Sequence, residues 1–317
     1  MRSTELFERI TRQIADAIAA GAGTFDMPWH RWGEGTAQPI NAISGRAYRG
    51  VNTILLWAAA EEAGYSSGRW ATYKQWAETG GQVRKGEKST MILFWKSAAN
   101  DDGRSEDSDD HASDGRPRFI AKVYCVFNEA QVEGAALVAP RPATSADERI
   151  TAAETFMANT GANIAHGGDR AYYRLSTDQI CLPHFEQFID PAAYYAVLAH
   201  ETVHWTGAKK RLDRDLQNRF GTEAYGMEEL VAELGSAFIA ARLGIAVEPR
   251  PDHAAYISSW LKVLRDDPRA ILTAAAKAQQ AVDYLEGLQN PDTSTDTPPA
   301  PIALVIPEPG LLDALCA

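Results

Sequence analysis

Cysteine is scarce. The 317 residues hold three (Cys125, Cys181, Cys316), far apart and with no CxxC pair. An odd, scattered set indicates neither a disulfide framework nor a thiolate zinc site, and a reducing, cytoplasmic setting is predicted. Long apolar runs are missing as well: no stretch approaches the roughly 18 uninterrupted apolar residues of a membrane span, so no membrane segment is expected. Excess positive charge is also absent, since 31 Lys and Arg face 42 Asp and Glu for a formal net charge of -11. That excludes nucleic-acid binding through a uniformly basic surface and leaves room for a local patch. The start, STELFERITRQIADAIAAG, interleaves charges with Leu6, Ile10, Ile14 and Ile18 at helical spacing, which predicts an amphipathic helix in place of a signal peptide.

The length predicts two domains. Six of the 8 tryptophans precede residue 96, among short apolar runs such as MILFW (91–95) and FIAKVYCVF (119–127) that read as strands. Between these runs, residues 100–118 are acidic and nearly devoid of apolar side chains, which predicts a disordered hairpin insertion. A stretch of small residues and prolines, 134–148, reads as a linker between a domain at 1–133 and another at 149–288. The second region has a mainly helical pattern interrupted by the strand-like RAYYRLSTDQICLP (170–183), and 289–317 reads as a flexible tail. The expected class is α+β: a small α+β domain followed by a mainly helical one.

The segment DPAAYYAVLAHETVHWTG has helix punctuation at both ends, with Asp190 as N-cap, Pro191 at the first position and Gly207 just past the end. On that helix His200 and His204 project from one face, four residues apart, while Glu201 points about 100 degrees away. This is the HExxH arrangement of a zinc peptidase. Two neutral imidazoles leave the charge of zinc unquenched, so bound water is acidified, and Glu201 can serve as general base. Chance spacing among the 7 histidines is the competing account. It is weakened by Tyr195, Val197, Leu198 and Val203, which predict a buried helix on which histidine and glutamate need a partner.

A catalytic zinc site wants a third protein ligand, and GMEELVAELGSAFIAARLG (226–244) offers one. Glu229 and Glu233 share a face at i,i+4, which suits Glu229 as ligand and Glu233 as the acceptor orienting a ligating histidine ring. Glu228 is the competing ligand, disfavoured because only Glu229 pairs at i+4 with Glu233. These residues define a zincin-like, gluzincin-type site, with Zn2+ or another divalent ion as cofactor. The oxyanion stabiliser is not fixed by the pattern, and Tyr225 is carried as a trial assignment. The strand-like 170–183 segment reads equally as a cleft edge that pairs with an extended peptide or as an ordinary core strand.

Between 69 and 96, Arg69, Lys74, Arg84, Lys85, Lys88 and Lys96 outnumber Glu78 and Glu87, with Trp70, Tyr73, Trp76, Phe94 and Trp95 interleaved. Cations tracking phosphates beside aromatic faces on which bases stack suit a single-strand binder. Equally, the aromatics suit the core of a small domain whose lysines are solvated.

PWHRWGEG (28–35), GRAYRGVN (45–52), RWATYKQWAETGGQVRKGEKST (69–90), DRAYYRLSTDQICLP (169–183), HETVHWTGAKKRLDRD (200–215) and EELVAELGSAF (228–238) together resemble the ArdC-type antirestriction proteins, which are similar to the N-terminal region of plasmid TraC primases. The likeness covers about residues 3–288. It implies an N-terminal domain binding single-stranded DNA, a C-terminal metallopeptidase-like domain with the zinc motif on His200, Glu201, His204 and Glu229, and protection of incoming plasmid or phage DNA from host restriction. Joined to the basic and aromatic reading, it makes Trp29, Trp32, Tyr48, Arg49, Asn52, Trp70, Lys74, Trp76, Arg84, Lys85 and Lys88 the candidates for DNA contact. Expected partners are single-stranded DNA and a restriction-system protein or other peptide substrate. The alternative is an intracellular zinc metallopeptidase whose N-terminal domain recruits protein substrates.

Overall fold

A computed structural model of the chain describes residues 3–21, 38–97, 119–135, 145–216, 222–245, 253–267 and 269–289. The N-terminal half runs α1 (Ser3–Gly21), β1 (Ile40–Asn41), α2 (Val51–Ala63), β2 (Arg69–Thr72), α3 (Tyr73–Glu78), β3 (Gln82–Val83), β4 (Thr90–Ser97), β5 (Phe119–Asn128) and β6 (Val132–Glu133). The C-terminal half continues with α4 (Ala146–Ala158), β7 (Asn163–His166), β8 (Tyr172–Arg174), β9 (Gln179–Leu182), α5 (Pro191–Thr206), α6 (Glu223–Leu243), α7 (His253–Asp266) and α8 (Ala270–Gly287). The α+β class holds, with most of the sheet early in the chain and most of the helix late.

The first sheet has the order β1-β2-β5-β4. β4 and β5 pair antiparallel from Thr90 opposite Val126 to Ser97 opposite Phe119, so the two apolar runs are arms of one hairpin. The acidic stretch joining them, residues 136–144 of the expected linker and the tail beyond 289 lie outside the described residues. β4 is an edge strand, and an α2 side chain supplies part of its missing neighbour. The Asn52 amide donates to the Leu93 carbonyl at 2.6 Å and accepts from the Leu93 N–H at 2.8 Å, as another strand would.

One apolar cluster runs through both halves. Ile10, Ile14 and Ile18 of α1, Ile54 and Trp57 of α2 and Leu93 of β4 join Leu198 and Val203 of α5, Leu230 and Leu234 of α6, Trp260 of α7 and Ile271 of α8. The apolar stripe of α1 is thus buried on α7 and α8, where it removes far more surface from water than a small sheet could. The Gly50 N–H donates to Gln279 Oε1 at 3.0 Å, and Arg49 pairs with Asp283. Two small clusters complete the N-terminal half: Leu56, Trp70, Ile92 and Val126 in one, Ala71, Trp76 and Val83 in the other.

The segment expected as one strand over 170–183 is a hairpin. β8 runs antiparallel to β9, whose other neighbour β7 is parallel. The turn between β8 and β9 ends on Asp178 at φ 51, a left-handed conformation that aspartate tolerates better than most residues. Its carboxylate takes Lys210 at 2.8 Å, Arg211, and the Tyr173 hydroxyl at 2.6 Å. Arg211 also donates to the Trp205 carbonyl at 2.6 Å and lies 3.8 Å from the Trp205 ring centroid. The hairpin is thereby clamped to the end of α5. Cys181 is a buried free thiol.

Candidate functional site

α5 starts as its punctuation predicts: Asp190 accepts from the Ala193 N–H at 2.7 Å, and Pro191 follows where no N–H is needed. α6 starts on Thr222, which accepts from the Tyr225 N–H at 3.2 Å. The two helices touch at Val203 and Gly235, where a Cβ built on the glycine would stand 2.8 Å from a Val203 methyl. Only a residue without a side chain permits this approach, and it brings the HExxH face of α5 against the glutamates of α6.

His200 Nε2 lies 3.5 Å from Glu229 Oε2, and His204 Nε2 lies 3.7 Å from Glu229 Oε1. One ligand atom from each of the three residues falls within 4.8 Å of the others. Donors arranged tetrahedrally about an ion at 2.0–2.1 Å stand about 3.3 Å apart, so the three residues fit a shared divalent ion with little adjustment. Two imidazoles and a carboxylate are also a chemically apt set for such an ion.

The opposite ring nitrogens turn toward other carboxylates. His204 Nδ1 meets Glu228 Oε1 at 3.2 Å, and His200 Nδ1 faces Glu233 Oε2 at 3.6 Å, with no hydrogen bond to any other group. A proton held on Nδ1 leaves the Nε2 lone pair for an ion. Glu233 thus lies beside the outer nitrogen of His200, and Glu228 lies behind His204 on its Nδ1 side. Sequence reasoning missed Arg214. Its guanidinium meets both oxygens of Glu228, at 2.9 and 3.0 Å, and donates to the Val203 carbonyl at 2.6 Å and Thr206 Oγ1 at 2.9 Å. The available signal was the basic run after the helix, KKRLDR, which reads as a solvated charge cluster until the chain folds back.

Burial opposes a charged His204, but Glu229 and Glu228 outweigh it and push the imidazole up to about 10. Burial would raise Glu229, yet His204 and His200 hold its carboxyl well below the usual range; Glu228 is lowered likewise by His204 and Arg214 against its burial. The pocket thus calls for positive charge between Glu228 and Glu229, and a proton supplies it when no ion does. Glu201 is only 5% exposed and has no ion pair or hydrogen bond among the described residues, an expensive state for a carboxylate unless water or a ligand meets it. Tyr225 is one helical turn before Glu229. His166 bonds the Tyr194 hydroxyl at 3.0 Å and stacks on His184.

The candidates for DNA contact do not form one surface. Trp29 and Trp32 lie outside the described residues. Trp70 and Trp76 are corrected to core residues, 1% and 0% exposed, and the Trp76 indole donates to the Phe127 carbonyl at 3.0 Å; neither offers a face to a base. Asn52 spends its amide on Leu93, and the Tyr48 hydroxyl is directed to the Trp70 carbonyl at 3.3 Å. Arg49 and Arg84 are exposed but paired, with Asp283 and Glu87. Lys74, Lys85 and Lys88 are exposed with no ion pair among the described residues. Among the described residues of the N-terminal half, the exposed aromatics include Tyr73, Phe94 and Tyr124, none of which was among the candidates.

A HExxH helix backed by a second helix that contributes a glutamate belongs to the zincin-like metallopeptidase class. Residues 151–277 match the family model described as zincin-like metallopeptidase, and residues 4–127 match that of the N-terminal domain of anti-restriction factor ArdC. Crystal structures of the antirestriction protein ArdC from plasmid R388, one metal-free and one Mn(II)-bound, are 38% identical, align with a TM-score of 0.71, and cover 90% of this chain and 98% of theirs. The chain belongs to the ArdC antirestriction family. An uncharacterised Sinorhizobium fredii protein is 50% identical over 90% of this chain and 93% of its own length. Two Escherichia coli DNA primases TraC are 38% and 40% identical, but the chain spans only 20% and 27% of their lengths. The zincin-like fold and the Mn(II)-bound relative point to a divalent metal. Among the described residues no helix is long and apolar enough to cross a membrane.

Proposed function

We propose that this chain is an antirestriction protein that holds single-stranded DNA on its N-terminal half and carries a zinc-dependent peptidase centre in its C-terminal half. The observation that carries the peptidase reading is the convergence of His200, His204 and Glu229, with both Nε2 atoms facing the Glu229 carboxylate. Zinc suits two imidazoles and one carboxylate with a position left open. When bound, the ion supplies Lewis acidity and a more acidic water. The protein's own groups do the rest. Glu228 and Glu233 keep the imidazoles turned with Nε2 inward, Arg214 keeps Glu228 in place, and Glu201 takes a proton from the attacking water and returns it to the leaving amine. The substrate class is a peptide, with a restriction-system protein of the host as the biological target.

Antirestriction is supported by a likeness that runs along nearly the whole length of an antirestriction protein. The DNA reading is supported by Lys74, Lys85 and Lys88, exposed and without an ion pair among the described residues, on a chain of net negative charge. A peptide-cleavage assay comparing wild type with Glu201→Gln tests the peptidase reading: the variant is expected to fold and bind metal but lose peptide cleavage. Wild-type turnover in that variant contradicts the assigned base. Salt-dependent retention on single-stranded DNA separates the proposal from a peptidase that recruits proteins, because phosphate contacts release counterions.

A further inference from the structure

Of the three residues that converge on the metal centre, His204 alone sits in the last turn of its helix, where carbonyls have no partner within the helix and the chain tends to fray. Here that turn is tied down from outside. The His204 carbonyl accepts from the Gly207 N–H at 2.8 Å and the Thr206 carbonyl from the Leu212 N–H at 3.0 Å. Arg214 donates to the Val203 carbonyl and Arg211 to the Trp205 carbonyl, each at 2.6 Å. The peptide carbonyls of the residues before and after His204 are therefore each held by a guanidinium, a favourable charge at a helix C-terminus. The two arginine side chains are only 5% and 4% exposed, and each is held by a carboxylate of another element. Glu228 of α6 meets Arg214 at 2.9 Å, and Asp178, from the turn between β8 and β9, meets Arg211 at 3.2 Å through one oxygen and more closely through the other.

The two arginines share one short loop that folds back on the end of α5. The Arg214 N–H donates to the Gly207 carbonyl at 2.9 Å and the Asp213 N–H to the Ala208 carbonyl at 3.2 Å. The reversal places Asp213 at φ 48, a left-handed conformation that persists where the surroundings enforce it. Gly207 leaves room for the return: a Cβ there would stand 3.0 Å from a guanidinium nitrogen of Arg214. A loop held at so many points passes a shift of Arg211 on to Arg214. We infer that Asp178 and Arg211 are positioning residues for the metal centre. By gripping Arg211, the hairpin turn fixes the last turn of α5, and with it the His204 imidazole; through the shared loop it also steadies the Arg214–Glu228 brace behind that ring. Metal–ligand distances tolerate only about 0.2 Å, so affinity for the ion depends on how the β8–β9 hairpin sits. The inference rests on the metal site proposed above and extends it to two residues outside the ligand set.

The test titrates Zn2+ into the full chain against a chelating dye. Asp178→Asn should lower the affinity about tenfold, the low end for loss of an outer partner. Tyr173→Phe removes a hydroxyl that donates to Asp178 at 2.6 Å and accepts from Arg211 at 3.1 Å; it should lower the affinity about threefold, and it decides alone should Asp178→Asn not fold. Lys210→Ala removes only the exposed partner of the same carboxylate and should bind Zn2+ like wild type. Leu56→Ala, in the separate cluster with Trp70, should melt lower yet also bind like wild type. In a Glu228→Gln background, Asp178→Asn should cost a smaller factor than in wild type, because both changes act on one histidine. Wild-type affinity in Asp178→Asn and Tyr173→Phe overturns the inference, as does a loss of affinity in Leu56→Ala that simply follows its melting temperature. An undiminished factor in the Glu228→Gln background overturns the shared loop. Failure of wild type itself to bind Zn2+ overturns the metal site instead.

Discussion

Gly235→Ala adds one methyl where α6 touches α5. The new Cβ would stand 2.8 Å from a Val203 methyl, against an ordinary contact of 3.4 Å or more, so the helices must part locally by about 0.6 Å. Val203 is fully buried and, being β-branched on a helix, has no alternative rotamer to retreat into. Overpacking of this kind costs about 1–3 kcal/mol, which is a fall in melting temperature of roughly 1–5 °C for a chain of this size. The consequence for the metal is sharper. His200 and His204 ride on α5 and Glu229 on α6, and ligand distances tolerate only about 0.2 Å. The affinity for Zn2+ or Mn2+, read by competition with a chelating dye, should fall about tenfold or more while circular dichroism reports a folded protein. Val203→Ala in the same chain removes the clashing methyls and should recover metal affinity more than stability, because it opens space elsewhere in the core. Unchanged melting and metal affinity in Gly235→Ala would refute the claim that this contact sets the spacing of the ligands.

Glu228→Gln removes the negative charge behind His204 and loosens Arg214; metal affinity should drop about 10–100-fold with a fold that still melts cooperatively, and equal affinity in the dye titration would refute the claim that Glu228 orients His204 for the ion. Because His204 is pushed up to about 10 without an ion, metal binding at neutral pH should expel a proton. Calorimetric titrations in buffers of differing ionisation enthalpy should show that release, and apparent affinity should climb with pH toward 10. The sign for the metal-free fold is the reverse: a histidine raised above its unfolded value near 6.5 stabilises fully below that pH and loses its contribution as pH rises toward 10. Asp178 is held well below the usual carboxylate range by Arg211, against its burial, with help from Lys210 and Tyr173. Its contribution is present above about pH 4, the unfolded value, and is lost as pH falls toward the depressed native one. Asp178→Asn should accordingly melt below wild type at pH 7, with the gap closing in acid; a gap independent of pH would contradict the charge-based account.

Much of the site could be read directly because its parts are local. The spacing of His200 and His204, the caps Asp190 and Gly207, and the i+4 relation of Glu229 to Glu233 are properties of a 3.6-residue period, which acts within one helix whatever surrounds it. The apolar stripe of α1 and the arms of the β4–β5 hairpin were legible for the same reason. Composition served less well for nucleic-acid contacts. Trp70 and Trp76 matched a stacking pattern and proved to be core, because an aromatic residue contributes equally to either use and only burial distinguishes them. The hairpin of β8 and β9 read as one strand because its turn is stabilised by Arg211 and Lys210, some thirty residues away.

By itself, the amino-acid order determined which side chains share a helix face, where helices begin and end, and therefore that two imidazoles and a general base lie on α5. It did not determine that Glu229 stands between the imidazoles while Glu228 stands behind one of them, that Arg214 returns to brace Glu228, or that α1 completes the core of the C-terminal half. Those relations join residues on different elements. Their distances follow from how closely two surfaces pack, as at Gly235 and Val203, and that depends on the whole core at once, in a way no local period encodes.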